Sequence, residues 1–203
     1  MSNRLALLFV AGFAWICNPA SSHAALIGTF QVVSPVSITY QLDVDFAPLS
    51  YSPIGDVTAA LFSVDLALAP PQFTTSGCEA NDFAGFTAGT IALIQRGACD
   101  FIVKALNAEA AGASGVIIFN QGNPGRTDLF SGTLGPANSL TIPVIGTSFN
   151  VGANLSFLQG AIVRIAVTDS TPPPPAQSPE PATLVLLGIG VAGAALRRWR
   201  SAQ

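Results

Sequence analysis

The chain has 203 residues, room for one ordinary domain, and half of them are hydrophobic while only 9% are charged. With a formal net charge of −3 and eight basic residues, it is no candidate for a protein that neutralises nucleic-acid phosphates. Much of the apolar excess sits at the two ends, so those ends must be separated from the body before either is interpreted.

Residues 1–25 open with one basic residue, Arg4, followed by the apolar run LALLFVAGFAWIC and a polar stretch ending SSHAA. This order predicts a secretory signal peptide cleaved after Ala24, with Ser22 and Ala24 as the small exit residues. A short buried helix competes with that reading, but no amphipathic spacing marks one. Lipid attachment at Cys17 is opposed by the bulky Trp15 and Ile16 before it. Setting both ends aside removes the only histidine, His23, and leaves Arg96, Lys104, Arg126 and Arg164 as the basic residues of the body against ten acidic residues, the eleventh, Glu180, lying in the tail. An acidic body of this kind argues against nucleic acid and against docking on anionic lipid. Without histidine it cannot build Ser-His-Asp or Cys-His catalysis, or a usual histidine-containing zinc site.

From Val36 to Phe46 the sequence VSITYQLDVDF alternates with period two. It predicts a half-buried strand with Val36, Ile38, Tyr40, Leu42, Val44 and Phe46 on one face. Asp43 and Asp45 then share the other face, as a conceivable calcium site or carboxylate pair, or simply as a solvated strand face. After the proline and glycine breaks of APLSYSPIGD, Val57–Val64 reads as a second strand. Residues 65–89, with Pro70, Pro71 and Gly77, read as a long loop held by Cys78.

The densest signal is GTIALIQRGACDFIVKALNAEAAGASGVIIFN, residues 89–120. Thr90–Gln95 predicts a strand ending in a turn at Arg96-Gly97. Asp100 is placed to N-cap a helix running from Phe101 to about Ala111, and Gly112 to close it in the left-handed conformation. Val116–Asn120 predicts the next buried strand, completing a βαβ unit expected to be right-handed. The Gly-, Asn- and Pro-rich segment Gln121–Thr141 predicts an exposed flap. IPVIGT follows as a strand, SFNVGANLSFL as a short helix or turn, and Ala161–Val167 as the closing strand. No internal repeat is present.

Cys78 and Cys99 are the two cysteines of a body exported to an oxidising compartment. A disulfide closing a loop of about 20 residues is the plain expectation, worth roughly 3 kcal/mol. The alternative is a reactive Cys99 with a depressed pKa ahead of the helix.

Residues 169–178 form a Pro-rich linker, extended as a polyproline II stalk. Ala182–Leu196 has Thr183 as its one polar residue and would span roughly 22 Å as a helix against a hydrocarbon core of about 30 Å, short for a permanent anchor. Arg197, Arg198 and Arg200 would keep its far end cytoplasmic. GIGVAG, residues 188–193, matches G-x-G-x-x-G, but too few residues follow it for a dinucleotide fold.

Pro179-Glu180-Pro181, the apolar run and the Arg197, Arg198 and Arg200 cluster together resemble the PEP-CTERM sorting signal of Gram-negative bacteria. The resemblance implies an exosortase-type processing enzyme as partner and transient residence in the inner membrane through 182–196. The body would then be delivered to the cell surface or beyond.

Gly77-Cys78, residues 89–101, residues 104–120 and TIPVIGT at 141–147 together resemble the protease-associated, or PA, domain. The resemblance covers most of 55–167, within a domain placed at 25–168. It implies an α+β fold: a β-sandwich or open barrel with flanking helices, binding a protein or peptide without catalysis. It also implies a ligand-contacting loop at Arg96, Gly97, Ala98 and Cys99, to which Asp100 and Asn120 add the remaining candidate positions. The planar fork of Arg96 suits a peptide carboxylate or carbonyl, while a purely structural role pinning the turn is the competing account. PA domains usually accompany a protease domain and these residues show none, which argues against a peptidase-regulating role; separately, no cofactor or metal is expected.

The resulting expectation is an exported, non-catalytic protein- or peptide-interaction module displayed at the cell surface or in the extracellular matrix. A structural envelope or exopolysaccharide-matrix protein without a specific ligand is the alternative. A carboxylate-only enzyme built on Asp43 and Asp45 is the third possibility.

Overall fold

The computed structural model describes residues 25–170. The signal peptide, most of the Pro-rich linker, the sorting residues and the membrane helix expected over 182–196 lie outside the described residues. Among the described residues no helix is long and apolar enough to cross a membrane.

In chain order the elements are β1 (Ala25–Ser34), β2 (Ile38–Tyr40), β3 (Phe46–Pro48), β4 (Gly55–Val64), β5 (Ile91–Gln95), α1 (Phe101–Ala110), β6 (Gly115–Phe119), β7 (Val144–Thr147), α2 (Phe149–Ser156) and β8 (Ile162–Ser170). A 3₁₀ turn, Ala80–Phe83, interrupts the long connection from β4 to β5. The strands form one mixed sheet in the order β2-β1-β8-β4-β5-β6-β7-β3. The run β4-β5-β6-β7 is parallel and the flanking pairs are antiparallel.

The sheet rolls until its far members approach each other. A Cβ added to Gly28 of β1 would lie 3.2 Å from the Phe46 ring of β3, and the Phe30 and Phe46 rings meet edge to face at 5.6 Å. The architecture is therefore the α+β open barrel with flanking helices, with β5-α1-β6 as its βαβ unit.

Strands β5, β6 and β7 are buried on both faces, which is why they read as unbroken apolar runs and not as alternating ones. Inside the barrel, Leu93, Ile117, Phe119 and Ile145 meet Phe30, Val163 and Ile165, and Leu155 of α2 packs into the same cluster. On the outer face, Ala92, Ile94, Val116, Ile118 and Val144 are covered by Ala105 and Ala108 of α1, by Phe83 and by Leu140. Burying each large aliphatic side chain contributes about 1.5–3 kcal/mol.

The helix ends follow from local chemistry. Ser148 caps α2, its side chain accepting from the Val151 N–H at 3.3 Å. At the end of α1, Gly112 takes φ +90°. Its N–H bonds to the Glu109 carbonyl, and the Ala113 N–H reaches the Ala108 carbonyl, both at 2.9 Å; this is the Schellman arrangement. Asp100 does occupy the N-cap position of α1 with extended backbone, but its side chain makes no capping bond.

Several expectations are corrected. Residues 36–46 are not one strand: β2 and β3 are separated by a turn in which Asp43 has φ 62° and the Asp45 carboxylate accepts from the Gln41 N–H at 2.8 Å. This side-chain bond to the backbone competes with the ladder and ends it. Val36 and Val44 are consequently 61% and 63% exposed, and Asp43 and Asp45 lie in a turn, not on a strand face. The 121–141 segment is no free flap, because Leu134 and Leu140 are buried. It is also pinned by Ser50 N–H to the Gly132 carbonyl at 2.9 Å and by Phe149 N–H to the Thr127 carbonyl at 2.8 Å. Strand β8 runs on to Ser170, taking Asp169 and Ser170 from the linker, and Ser170 pairs with Ala25.

Lys104 of α1 is fully buried. Its ammonium donates to the Ser76 carbonyl and lies 3.5 Å from the Cys78 sulfur, so α1 holds the cysteine-bearing loop from beneath. Burial pushes its pKa down to about 8, opposed by the Asp82 charge. The unfolded chain therefore binds the extra proton between about 8 and the ordinary 10.5, and stability rises with pH across that interval. Tyr40, whose phenol is pushed above 10.0 by burial and by Asp45, works in the opposite sense at the upper end.

Two measurements test this account. The urea midpoint should rise between pH 8 and 10 in the parent protein, and Lys104→Met should abolish the rise. In α2, a Cβ on Gly152 would sit 2.0 Å from the Phe119 ring. Gly152→Ala should therefore destabilise by about 1–3 kcal/mol in urea unfolding, where helix propensity alone would predict a gain of about 1 kcal/mol.

Candidate functional site

At the end of β5 the apolar run stops at Gln95, which is fully buried. Its side chain accepts from the Ala67 N–H at 2.8 Å and donates to the carbonyls of Ala67 at 3.1 Å and Gln121 at 2.8 Å. Its backbone N–H reaches the Ser76 hydroxyl at 3.1 Å. The amide is thus satisfied by two loops that it holds against the sheet, as a buried polar group must be.

The next residues leave the sheet under tight control. Arg96 N–H continues the ladder to the Phe119 carbonyl at 2.8 Å. Gly97 lies so close to the 65–89 loop that a Cβ would fall 2.0 Å from the Thr74 carbonyl oxygen, which the Ala98 N–H takes as acceptor at 3.2 Å. Cys99 is joined to Cys78 by a disulfide with Cα atoms 5.8 Å apart, and α1 begins two residues later.

This loop forms one wall of an open cleft of about 500 Å³, lined by residues 96–102, Arg126 and residues 133–135. Arg96, Gly97, Ala98, Cys99 and Asp100 all face it. The Arg96 guanidinium stands 5.6 Å from the Phe101 ring and 5.1 Å from the Phe130 ring, and those rings stack at 5.1 Å. Its Nη1 donates to Asn120 Oδ1 at 3.3 Å. Burial, and then the charge of Arg126, lower the affinity of Arg96 for its proton. An arginine nevertheless stays charged at neutral pH.

Asn120 is only 4% exposed. Its Oδ1 also accepts from the Gln121 N–H at 2.9 Å, and its Nδ2 donates to the Asp128 carbonyl at 2.8 Å. It is a positioning residue for Arg96, set behind the cleft. Asp43 and Asp45 stand in the β2–β3 turn, apart from this site. Among the described residues no group of three or more His, Cys, Asp or Glu could hold a metal ion.

The sequence reading passed over Arg126, Phe101 and Phe130. Arg126 donates through Nη1 to Gln121 Oε1 at 3.1 Å and brings a second guanidinium to the cleft. Its signal was present: it is one of four basic residues in an acidic body and sits in a loop rich in turn residues. Phe73, 71% exposed, precedes the Thr74 carbonyl that the loop packs against.

Comparison with known proteins agrees with this fold. A PA domain family model matches residues 58–155, and a PEP-CTERM protein-sorting motif matches residues 179–200. Over 126 residues the chain is 51% identical to an aminopeptidase of Pseudomonas aeruginosa, covering 62% of this chain and 24% of that protein. Over 116 residues it is 34% identical to leucine aminopeptidase 2 of Trichophyton rubrum, covering 57% and 21% respectively. The chain thus spans about a quarter of the length of the curated relatives it matches. Among solved structures, BSAP, a zinc aminopeptidase from Bacillus subtilis, superposes with a TM-score of 0.56 and 27% identity over 73% of this chain and 32% of that one. The two family matches point to an exported protein, and the sorting motif implies exosortase processing. The chain carries a PA domain, set ahead of a PEP-CTERM protein-sorting motif.

Proposed function

We propose that the protein is an exported, non-catalytic binding module whose Arg96 cleft captures a protein or peptide segment. C-terminal sorting then displays it at the cell surface or in the extracellular matrix. The observation that carries the reading is the state of Arg96. Its guanidinium is steadied by two aromatic rings and by Asn120. Among the described residues, however, the one salt bridge joins Arg164 to Asp56, leaving Arg96 without a carboxylate partner. A planar donor fork held in place without an acidic partner is suited to an external acceptor, and its ordering before binding reduces the entropic cost of capture.

The chemistry of the cleft supports the non-catalytic part of the reading. The chain's single histidine lies in the leader, and Cys99 is held in a disulfide. The lining supplies donors and aromatic surface, with no nucleophile set beside a base.

Screening the full chain on an array of short peptides tests the proposal. Arg96→Gln should weaken the peptides bound by the parent at least tenfold, corresponding to about 1.4 kcal/mol, with Arg96→Lys intermediate because it keeps the charge but loses the fork. Thermal unfolding of both variants should stay close to the parent. Equal binding by parent and Arg96→Gln would remove the loop from consideration, and the absence of any saturable peptide would favour a spacer role.

A further inference from the structure

Two guanidiniums meet at this cleft, on an otherwise acidic body. Arg96 comes from the end of β5 and Arg126 from the 121–141 loop, and both line the same space. Each is tied by one N–H to neighbouring amides at the end of β6: Arg96 to Asn120 and Arg126 to Gln121. Consecutive residues thus set the two forks side by side. A guanidinium carries five N–H donors, so most of the donor capacity of both remains for something else.

The fold does not neutralise the pair. Asp100 lines the cleft and Asp128 is bonded to Asn120 through its carbonyl, yet neither carboxylate comes within bridging distance of either arginine. Lys104, the other cation nearby, is buried and directed to the Ser76 carbonyl. The repulsion between the arginines contributes to the lowered proton affinity of Arg96. Two like charges held together without a bridging carboxylate form a site that gains from a bound one.

We propose that the ligand of this cleft is an acidic peptide, with Arg126 and Arg96 together forming a carboxylate subsite. The inference rests on the capture reading given above. A peptide is favoured over an acidic polysaccharide because the charged pair is flanked by apolar rings. Phe130 and Phe101 stand beneath Arg96, and Phe73 stands 71% exposed next to the segment that abuts Gly97. An acidic residue neighboured by an aromatic or aliphatic one uses both surfaces, whereas a polyuronate offers no side chain to the rings.

Calorimetry with the full chain decides the matter, using three probes: Ac-Gly-Glu-Glu-Phe-Gly-amide, the same peptide with Gln in place of both Glu, and oligogalacturonate. The Glu peptide should bind at least tenfold more tightly than the Gln peptide, and only its affinity should fall when salt is raised. Arg126→Gln should bring the Glu peptide down to the level of the Gln peptide. Arg164→Gln, in β8 and outside the cleft lining, should leave both peptides as in the parent. Equal affinities for the two peptides, with Arg96→Gln still weakening both, would overturn the carboxylate subsite and leave the capture reading standing. Persistence of the Glu preference in Arg126→Gln would also overturn it. Binding of oligogalacturonate but of neither peptide would assign the arginines to a polysaccharide. Binding of the probes that Arg96→Gln does not change, or no binding of any probe, would overturn both readings.

Discussion

One buried amide, that of Gln95, governs the end of the barrel where the cleft forms. Its side chain lies where a continuous apolar strand would otherwise present another hydrophobe, and it satisfies three backbone groups from two loops. Removing it would leave those groups without partners, at about 1–3 kcal/mol for each one that water could not reach. The anchored loops then act in turn: Thr74 fixes Gly97 and Ala98, and Gln121 receives Arg126 while its own Nε2 donates to the Gln72 carbonyl at 2.8 Å. The position of both arginines follows from a glutamine whose side chain bonds to neither.

The remaining supports act on the same short loop from other directions. The disulfide ties Cys99 to the 65–89 connection, and Lys104 and Asn107 of α1 hold that connection through the carbonyls of Ser76 and Gly77. This redundancy suits a binding loop that must not collapse onto the sheet when empty. The buried ammonium is tolerated because it donates to the Ser76 carbonyl and feels the Asp82 charge. The arrangement trades some stability at neutral pH for a fixed entry into α1.

Legibility in the sequence tracked how local the cause was. Strands β5 and β6 were readable because burial on both faces leaves no polar residue to interrupt the run, and the end of α1 because Gly112 meets a local conformational demand. Strand β1 escaped notice because only Phe30 and Val32 are fully buried along its ten residues. The turn at 41–45 escaped because its alternating pattern is genuine but is overruled by one carboxylate bonding to the backbone. At the site, the Arg96–Asp100 segment could be located from its place after a strand. The aromatic seat of Arg96, the second arginine and the inward role of Asn120 depend on the loop 121–141 folding back, and contacts across that distance leave no periodic trace.

The pairing of Ala25 with Ser170 has a consequence for how such a body can be carried. Its entry and exit strands run side by side, with the Ser170 hydroxyl donating to the Ala25 carbonyl at 2.7 Å. A domain whose two ends meet at one point occupies no length along its host chain. It can hang from a surface loop of a larger enzyme or from the tip of a stalk without altering the path of either. The same eight strands are therefore as portable within a polypeptide several times longer as ahead of a sorting signal, and the cleft travels with them unchanged.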